Sequence, residues 1–258
     1  MKYKILGIIM AVFSLFIGCK NDNLSVATAA NFAPFEYIDG GEFKGIDIEI
    51  AKIIADELKL NLVINDMEFD SVVQSVVSKN SNIAMSGLAI NDTRKQVIDF
   101  SDTYFNAAQM ILVRENDKRF FDVNKLDSTN LVKKINSIKN LKIGVQAGTT
   151  GEFYAKGDKD WGFDGFKKAE ILSFTNGAMA VTAMLNNQVD IVIIDEMPAK
   201  VLQKSNKGTK IIDIALTNES YAIGVSKDNK ELLENINKIL SSIKEDGRLE
   251  KIISKYYE

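Results

Sequence analysis

The sequence has no histidine, a single cysteine and only two prolines in 258 residues. Without histidine, the chain lacks the commonest general base, the usual partner of a nucleophilic serine or cysteine, and the usual zinc ligand. A single cysteine forms neither an internal disulfide nor a cysteine cluster for a metal. We therefore expect no catalytic residue, no metal site and no cofactor.

A surplus of charge of one sign is also missing. The 32 lysines and arginines nearly balance the 35 aspartates and glutamates, which leaves a net charge of -3. No overall field favours a polyanion, so we expect no nucleic-acid partner. Apolar residues make up 46% of the chain, enough at this length for one large domain or two smaller lobes.

The N-terminus is similar to a lipoprotein leader. Two lysines precede an apolar run, Ile5 to Ile17, that is shorter than the roughly 20 residues needed to cross a bilayer. Gly18 and Cys19 follow, as at a lipoprotein processing site. We predict a signal peptide over residues 1–18, lipidation of Cys19, and a tether over residues 19–23. The alternative is a plain secretory signal with an incidental cysteine.

Beyond the leader, short apolar runs alternate with helical patterns, which is typical of repeated β-α-β units with a parallel sheet. Ile46, Ile50 and Ile54 recur at helical spacing, with acidic residues on the opposite face. The other elements of this first group are strands Leu24–Ala29, Asn61–Met67 and Ile83–Leu88 and the helix Asp70–Lys79.

The pattern restarts after a charged stretch, residues 114–140, that we predict to be irregular. The later elements are strands Leu141–Ala147, Lys168–Phe174, Val189–Ile194, Ile211–Ala215 and Tyr221–Val225, and helices Ala178–Leu185, Pro198–Lys204, Glu231–Ile243 and Leu249–Tyr256. Because no proline-rich linker separates the two groups, we expect strand-like crossings to join two α/β lobes.

Polar residues at the ends of three predicted strands are candidates for ligand binding. Ligands of open α/β sheets lie beyond the carboxyl ends of the strands. One strand end has a backbone of small residues followed by Arg94, whose guanidinium can bind a carboxylate with two hydrogen bonds. The alternative is a solvated arginine in the first turn of a helix.

The other two strand ends suit opposite charges. Gly148, Thr149 and Thr150 offer N–H groups and a hydroxyl to an anion, or form an ordinary helix N-cap. Asp195 offers a carboxylate to an ammonium, or caps the helix that is entered through Pro198. A carboxylate site and an ammonium site together match the two poles of an α-amino acid.

Five ordered motifs extend this interpretation. They are Asn31 to Glu36, Lys44 to Ala51, Gly87 to Arg94 with Asp99 to Tyr104, Gly148 to Thr150, and Asp195. From about Leu24 to its C-terminus, the sequence resembles the family-3 solute-binding proteins of polar amino acid ABC transporters. The resemblance implies an α/β, two-lobed periplasmic binding protein fold of type II, with a ligand cleft between the lobes and a two-crossing hinge. The implied lobes are residues 24–106 with 221–258, and residues 107–220.

The resemblance also implies roles for individual residues. Arg94 would bind the ligand carboxylate with the amides of Ala89 and Thr150. Asp195 and the Gly87 carbonyl would hold the ammonium. The motif from Gly45 to Ala51 would be a packing feature rather than a ligand contact.

The ligand side chain is addressed by other positions. Phe32 and Phe69 match positions where relatives stack aromatic rings around it, although without the resemblance both would be interpreted as core residues. Ala29 stands where several relatives carry Asp, Glu or Asn, which favours a neutral or polar ligand. Gln146 offers a hydrogen bond in compensation, or is a solvent-facing strand end.

The implied function is capture of a free amino acid by a monomeric, exported lipoprotein, periplasmic or on the cell surface and held to a membrane by its lipid alone. The protein would deliver the amino acid to ABC permease subunits after hinge closure. The alternatives are an enzyme of the same fold, similar to cyclohexadienyl or arogenate dehydratase, and a sensory amino-acid-binding lipoprotein. The lack of histidine and of an evident second carboxylate near Asp195 argues against the enzyme.

Overall fold

The computed structural model of the chain describes residues 22–256, with Asn124 described through its backbone alone. The predicted signal peptide, the lipidation site Cys19 and the first part of the tether lie outside the described residues. Among residues 22–256, no helix is both long enough and apolar enough to cross a membrane.

Strands and helices alternate along the described chain. The strands are β1 (Asn23–Thr28), β2 (Asn31–Phe32), β3 (Glu36–Asp39), β4 (Glu42–Lys44), β5 (Asn61–Asp66), β6 (Ile83–Ala84), β7 (Ile98–Phe100), β8 (Phe105–Ala107), β9 (Gln109–Arg114), β10 (Lys142–Gln146), β11 (Glu170–Phe174), β12 (Ile191–Asp195), β13 (Thr209–Ile212), β14 (Glu219–Tyr221) and β15 (Gly224–Ser226). The α-helices are α1 (Ile46–Leu58), α2 (Phe69–Val77), α3 (Asp92–Val97), α4 (Ser128–Ser137), α5 (Thr150–Lys156), α6 (Gly177–Leu185), α7 (Glu196–Ser205), α8 (Lys230–Glu245) and α9 (Arg248–Lys255).

Two five-stranded sheets form the framework, with strand orders β5-β1-β6-β15-β7 and β11-β10-β12-β9-β13. In each sheet, three parallel strands are followed by two that continue through antiparallel pairing. Strand β12 is buried along its whole length. Such continuous burial is typical of parallel sheets that are covered on both faces. The predicted α/β class is therefore confirmed.

Helix α1 illustrates how the sequence pattern becomes packing. Ile46, Ile50 and Ile54 are fully buried in the hydrophobic core. Glu49 lies in the first turn, where negative charge interacts favourably with the helix dipole. The helical periodicity of the isoleucines predicted this element correctly, but Asp47, one of the acidic residues predicted on the opposite face, is fully buried.

Two strands connect the sheets. Strands β8 and β14 pair antiparallel, with Phe105 opposite Tyr221 and Ala107 opposite Glu219. The chain therefore leaves the first sheet and returns to it through one strand pair. The predicted lobe boundaries, at residues 106/107 and 220/221, fall within this pair and stay a prediction.

The stretch of residues 114–140 was wrongly predicted to be irregular, because it contains α4. Asp127 caps this helix by accepting a hydrogen bond from the Asn130 amide at 2.8 Å. Leu131 and Ile135 are its buried residues. Two apolar positions among lysines and polar residues form too weak a pattern to mark a helix.

The predicted strand Tyr221–Val225 is also wrong, because the chain forms β14 and β15 there. Strand β14 pairs with β8, whereas β15 pairs with β6 and β7. The continuous apolar run conceals this change of partner. At the other end of the chain, β1 begins at Asn23, the last residue of the predicted tether.

Candidate ligand-binding site

A small cavity lies where residues of the two sheets and their connections meet. Its lining consists of Phe32, Phe69, Gly87, Ala89, Arg94, Gln146, Thr149, Thr150 and Asp195. These are the residues predicted from the sequence to bind the ligand, so the fold brings the whole predicted set together. Their contact with a ligand stays a prediction.

Arg94 is held rigidly at the cavity, with 8% of its surface exposed. Its Nη1 donates to the Ala89 carbonyl at 2.7 Å and its Nη2 to the Gly148 carbonyl at 3.1 Å. These bonds use two of the five guanidinium N–H groups. Burial lowers the pKa of Arg94 to about 10, so the guanidinium is charged at neutral pH. The alternative of a solvated arginine is wrong.

The turn after β10 supplies the second predicted contact region. Thr149 is the N-cap of α5, where its hydroxyl accepts from the Glu152 amide at 3.4 Å and donates to the Gln146 carbonyl at 2.8 Å. The ordinary capping role is therefore confirmed for Thr149. Thr150 is the first residue of α5, and the first N–H groups of a helix have no partner within it. This end of the cavity suits an anion.

Asp195 ends β12 and is 6% exposed. Its Oδ1 accepts a hydrogen bond from the Tyr221 hydroxyl. Although α7 begins at the next residue, the Asp195 side chain makes no capping bond, so the capping alternative is wrong. Burial raises the pKa of Asp195 to about 7, and the neighbouring Glu219 carboxylate contributes to this increase.

Glu219 was missed by the sequence analysis, and it is the second carboxylate near Asp195 that was thought to be absent. Glu219 precedes Tyr221 by two residues on β14, so both side chains lie on the same face of that strand. The Thr217 hydroxyl donates to Glu219 Oε1 at 2.5 Å. Burial raises the pKa of Glu219, while the Arg94 charge opposes this increase. The alternation of Glu219 with Tyr221 was the only signal in the sequence.

Gln109 was missed as well. It is fully buried at the start of β9, directly opposite Asp195 of β12. Its side-chain amide lies within hydrogen-bonding reach of the Asp195 and Glu219 carboxyl groups. Buried polar groups are nearly always hydrogen-bonded in folded proteins. Gln109 therefore serves as a neutral partner for the two buried acids.

Both predicted phenylalanines line the cavity. Phe32 stacks on Phe35 with ring centroids 6.1 Å apart and belongs to the core. The Phe69 ring is half-buried, with its centroid 5.5 Å from the Arg94 guanidinium carbon. At Gly87, where φ is +51°, a Cβ would lie 2.9 Å from Phe32 Cε1. Glycine therefore permits the close approach of this ring to the backbone.

Gln146 is 3% exposed, so the interpretation as a solvent-facing strand end is wrong. Its buried Oε1 accepts no hydrogen bond from the described residues. Ala29 is fully buried, and its amide donates to Ser86 Oγ at 3.0 Å. Of the described residues that line the cavity, Asp195 alone carries a carboxylate.

Comparison with known proteins agrees with this arrangement. Residues 24–258 match the family of bacterial extracellular solute-binding proteins, family 3. A probable histidine-binding protein of Neisseria gonorrhoeae is 31% identical over 236 residues, covering 90% of this chain and 82% of that protein.

Solved structures show the same fold. AbpA of Streptococcus pneumoniae, an amino acid ABC transporter substrate-binding protein bound to L-arginine, has a TM-score of 0.79 and 33% identity, with 91% of this chain and 94% of that chain covered. The ancestral amino acid-binding protein AncCDT-1, a precursor of cyclohexadienyl dehydratase, has a TM-score of 0.80 and 30% identity, with 93% and 97% covered.

The fold and the cavity thus define a two-lobed binding protein of type II. The chain belongs to family 3 of the bacterial extracellular solute-binding proteins. The predicted family and the predicted fold are both confirmed.

Proposed function

We propose that this protein captures a free α-amino acid outside the cytoplasm and presents it to the permease subunits of an ABC transporter. The observation that carries the proposal is one cavity lined by a buried cation, Arg94, and a buried carboxylate, Asp195. Buried charges are costly unless each is paired. A zwitterion would supply one partner for each of them.

The proposed pose follows from these two charges. Arg94 binds the ligand carboxylate, with the amides of Ala89 and Thr150 as further donors. Asp195 and the Gly87 carbonyl hold the ammonium. The guanidinium is already oriented by its bonds to two carbonyls, so little side-chain freedom is lost when the ligand binds.

Closure of the two lobes around the ligand is the proposed signal to the permease. The ligand first contacts the lobe that contains Arg94, and bending at β8 and β14 brings Thr150 and Asp195 onto it. The bonds from Arg94 to the Gly148 carbonyl and from Tyr221 to Asp195 connect elements of both lobes and support this closed arrangement.

The proposed ligand has a neutral or polar side chain that lies between Phe32 and Phe69. The absence of a second carboxylate from the described lining and the free acceptor Gln146 Oε1 support this preference. The relatives that are named for histidine or bind arginine support the competing preference for a basic side chain. A ligand panel with both classes separates the two.

Export and lipid anchoring at Cys19 complete the proposal. The test is labelling of cells that express the full chain with a tagged fatty acid. Label in the wild type and none in Cys19→Ser would support the anchor, whereas equal label in both would refute it. Sedimentation of the soluble protein tests the expected monomer.

The similarity to a dehydratase precursor and the second carboxylate Glu219 favour one alternative, an enzyme that dehydrates prephenate or arogenate. We propose binding without catalysis, because the relatives named above are binding proteins. Product formation by ligand-free protein, abolished in Glu219→Gln, would establish the enzyme instead.

The decisive experiment is a thermal-shift screen of the common amino acids against soluble protein that begins at Lys20 and has been unfolded and refolded to remove carried-over ligand. A ligand at ~1,000 times its Kd stabilises the native state by ~4 kcal/mol, which raises Tm by roughly 8–16 °C at this size. One or a few large shifts would establish binding and identify the ligand. No shift with any amino acid would refute the proposal.

A further inference from the structure

Two carboxyl groups contact each other next to the ligand cavity. Glu36 of β3 and Asp47 of α1 are both 0% exposed, and their side chains lie within hydrogen-bonding reach of one another. Asp47 also accepts from the Gly87 amide at 2.9 Å and from the Tyr104 hydroxyl at 2.9 Å. The Ser86 hydroxyl donates to Glu36 Oε1 at 2.9 Å. The pair therefore anchors the Ser86–Gly87 backbone.

This arrangement requires a proton. Ionised carboxylates have only acceptors, so two of them cannot hydrogen-bond to each other. Glu36 Oε2 is buried and has no donor among the described residues, whereas Asp47 accepts from two donors besides Glu36. A proton on Glu36 Oε2, donated to Asp47, satisfies both groups.

Among the described residues, no cation is found among the groups that act on the pair. Of the described residues, the charged or titratable groups that act on it are Tyr104, which follows β7, and Asp195 of β12. Asp195 adds negative charge, and Tyr104 is a neutral donor. Two buried carboxylates without a cation would repel each other strongly.

We propose that Glu36 and Asp47 share one proton at neutral pH, carried by Glu36, and that this pair positions Gly87 at the wall of the ligand cavity. Gly87 lines the cavity, and its amide is bound by Asp47. The Ser86 hydroxyl, bound to Glu36, accepts from the Ala29 amide. One carboxyl pair thus connects the ends of β1 and β6 to α1.

The titration of the pair has a direction that can be measured. Burial raises the pKa of Glu36 well above its ordinary range, and the Asp47 charge adds to this effect. Burial also raises the pKa of Asp47 to about 7, against the opposing bonds from Gly87 and Tyr104. The native state then holds a proton that the unfolded chain releases above its ordinary pKa. The stabilisation is complete at low pH and is lost as pH rises.

The first test measures Tm of ligand-free protein at pH 6, 7 and 8. Glu36→Gln keeps a donor towards Asp47 and an acceptor for Ser86 but cannot ionise. We expect the Tm of this variant minus that of wild type to increase by about 3–5 °C for each unit by which the pH rises. Glu42→Gln, at the exposed first residue of β4, is the matched control and should give a difference that does not change with pH.

A pH-independent Tm difference for Glu36→Gln would overturn the shared proton. Asp47→Asn tests which of the two acids carries the proton. The Gly87 amide and the Tyr104 hydroxyl both donate to Asp47, and the NH₂ group of an asparagine would face one of these donors. We expect a loss of at least about 5 °C at every pH, or no folded protein. A stable Asp47→Asn beside a destabilised Glu36→Gln would place the proton on Asp47 and refute the assignment.

The positioning role rests on the proposed function and is tested by amino-acid affinity at pH 7. We expect Glu36→Gln to keep the wild-type Kd within about twofold, and Glu36→Ala to raise Kd about tenfold. Equal losses in both variants would overturn the positioning role. If wild type binds no amino acid, the proposed function fails while the Tm test of the shared proton stands unaffected.

Discussion

The two sheets have the same strand order, yet equivalent strands lead to opposite charges at the cavity. Strand β6 of the first sheet and β12 of the second occupy the same third position, next to the central parallel strands β1 and β10. The chain after β6 leads to Arg94, whereas β12 ends in Asp195. The shared topology therefore decides where polar residues gather, and residue identity decides the sign of the charge at each strand end.

The two sides also differ in how their charge is held. Arg94 donates to two backbone carbonyls, one of them from the opposite lobe. Asp195 depends on side chains of β14, with Tyr221 as a donor and Glu219 as a second acid. We therefore expect the charge of Arg94 to be insensitive to pH and Asp195 to titrate near neutrality.

Removal of the Arg94 guanidinium should weaken ligand binding the most. Arg94→Ala leaves the ligand carboxylate without its charged partner in a buried cavity, which costs about 3 kcal/mol or more, or at least a hundredfold in Kd. Isothermal titration with the ligand found in the screen measures this. Lys95→Ala, the exposed neighbour on α3, is the control and should bind normally. Near-normal affinity of Arg94→Ala would exclude the proposed pose.

Removal of the Asp195 charge should have the next largest effect on ligand binding. Asp195→Asn keeps the shape of the side chain but loses its charge, which costs about 2 kcal/mol, or roughly thirtyfold in Kd. Glu196→Gln, the next residue along and more exposed, is the control.

Wild-type affinity should also weaken below pH 7. Because burial raises the pKa of Asp195 to about 7, the ammonium must displace a proton at lower pH. We expect Kd to rise by up to about tenfold per pH unit below 7 in wild type and to stay flat in Asp195→Asn. The same Kd at pH 5.5 and 7.5 in wild type would contradict the expected difference between Arg94 and Asp195.

A smaller loss of affinity should follow from adding a side chain at Gly87, in the wall of the cavity. In Gly87→Ala the new Cβ meets the Phe32 ring at a backbone angle that favours glycine, and we expect about 1 to 2 kcal/mol weaker binding. Gly41→Ala shares a positive φ, of +81°, but has open space around its Cβ. It should lose stability without losing affinity. Equal affinity losses in both variants would show that the contact with Phe32 does not control ligand affinity.

The smallest effect is expected at the rim of the cleft. The Thr93 hydroxyl donates to Asp160 Oδ2 at 3.3 Å, an exposed contact between α3 and the loop after α5. Thr93→Ala should change Kd less than about threefold, because exposed polar contacts contribute at most ~0.5 kcal/mol. The fluorescence of Trp161, the only tryptophan of the chain and a neighbour of this contact in sequence, offers a direct readout of the proposed closure. A tenfold loss would make the rim a principal element of closure.

Much of the fold was predictable because it depends on local pattern. The isoleucines of α1 and the apolar run of β12 indicated their elements correctly, since periodicity reports which face is buried. Helix α4 failed because only two of its residues enter the core. The division between β14 and β15 failed because a change of strand partner leaves no local trace.

The cavity lining was predictable for a related reason. Arg94 follows β6, Thr150 follows β10 and Asp195 ends β12, so all three lie at the carboxyl ends of strands, where ligands of open α/β sheets bind. The residues missed, Glu219 and Gln109, lie on the connection between the sheets and next to it. Their proximity to Asp195 depends on the path of the chain in space.

By itself, the sequence determined the type of most elements, the set of polar residues at the strand ends and the lack of histidine chemistry, because these depend on residue identity and local spacing. Tertiary structure alone decided that the hydroxyl of Tyr221 reaches Asp195 and that Gly148 accepts from Arg94. It also decided that Glu36 meets Asp47 with no cation of residues 22–256 among the groups that act on the pair. These contacts join different elements, and the protonation of each acid depends on burial and neighbours that no local pattern contains.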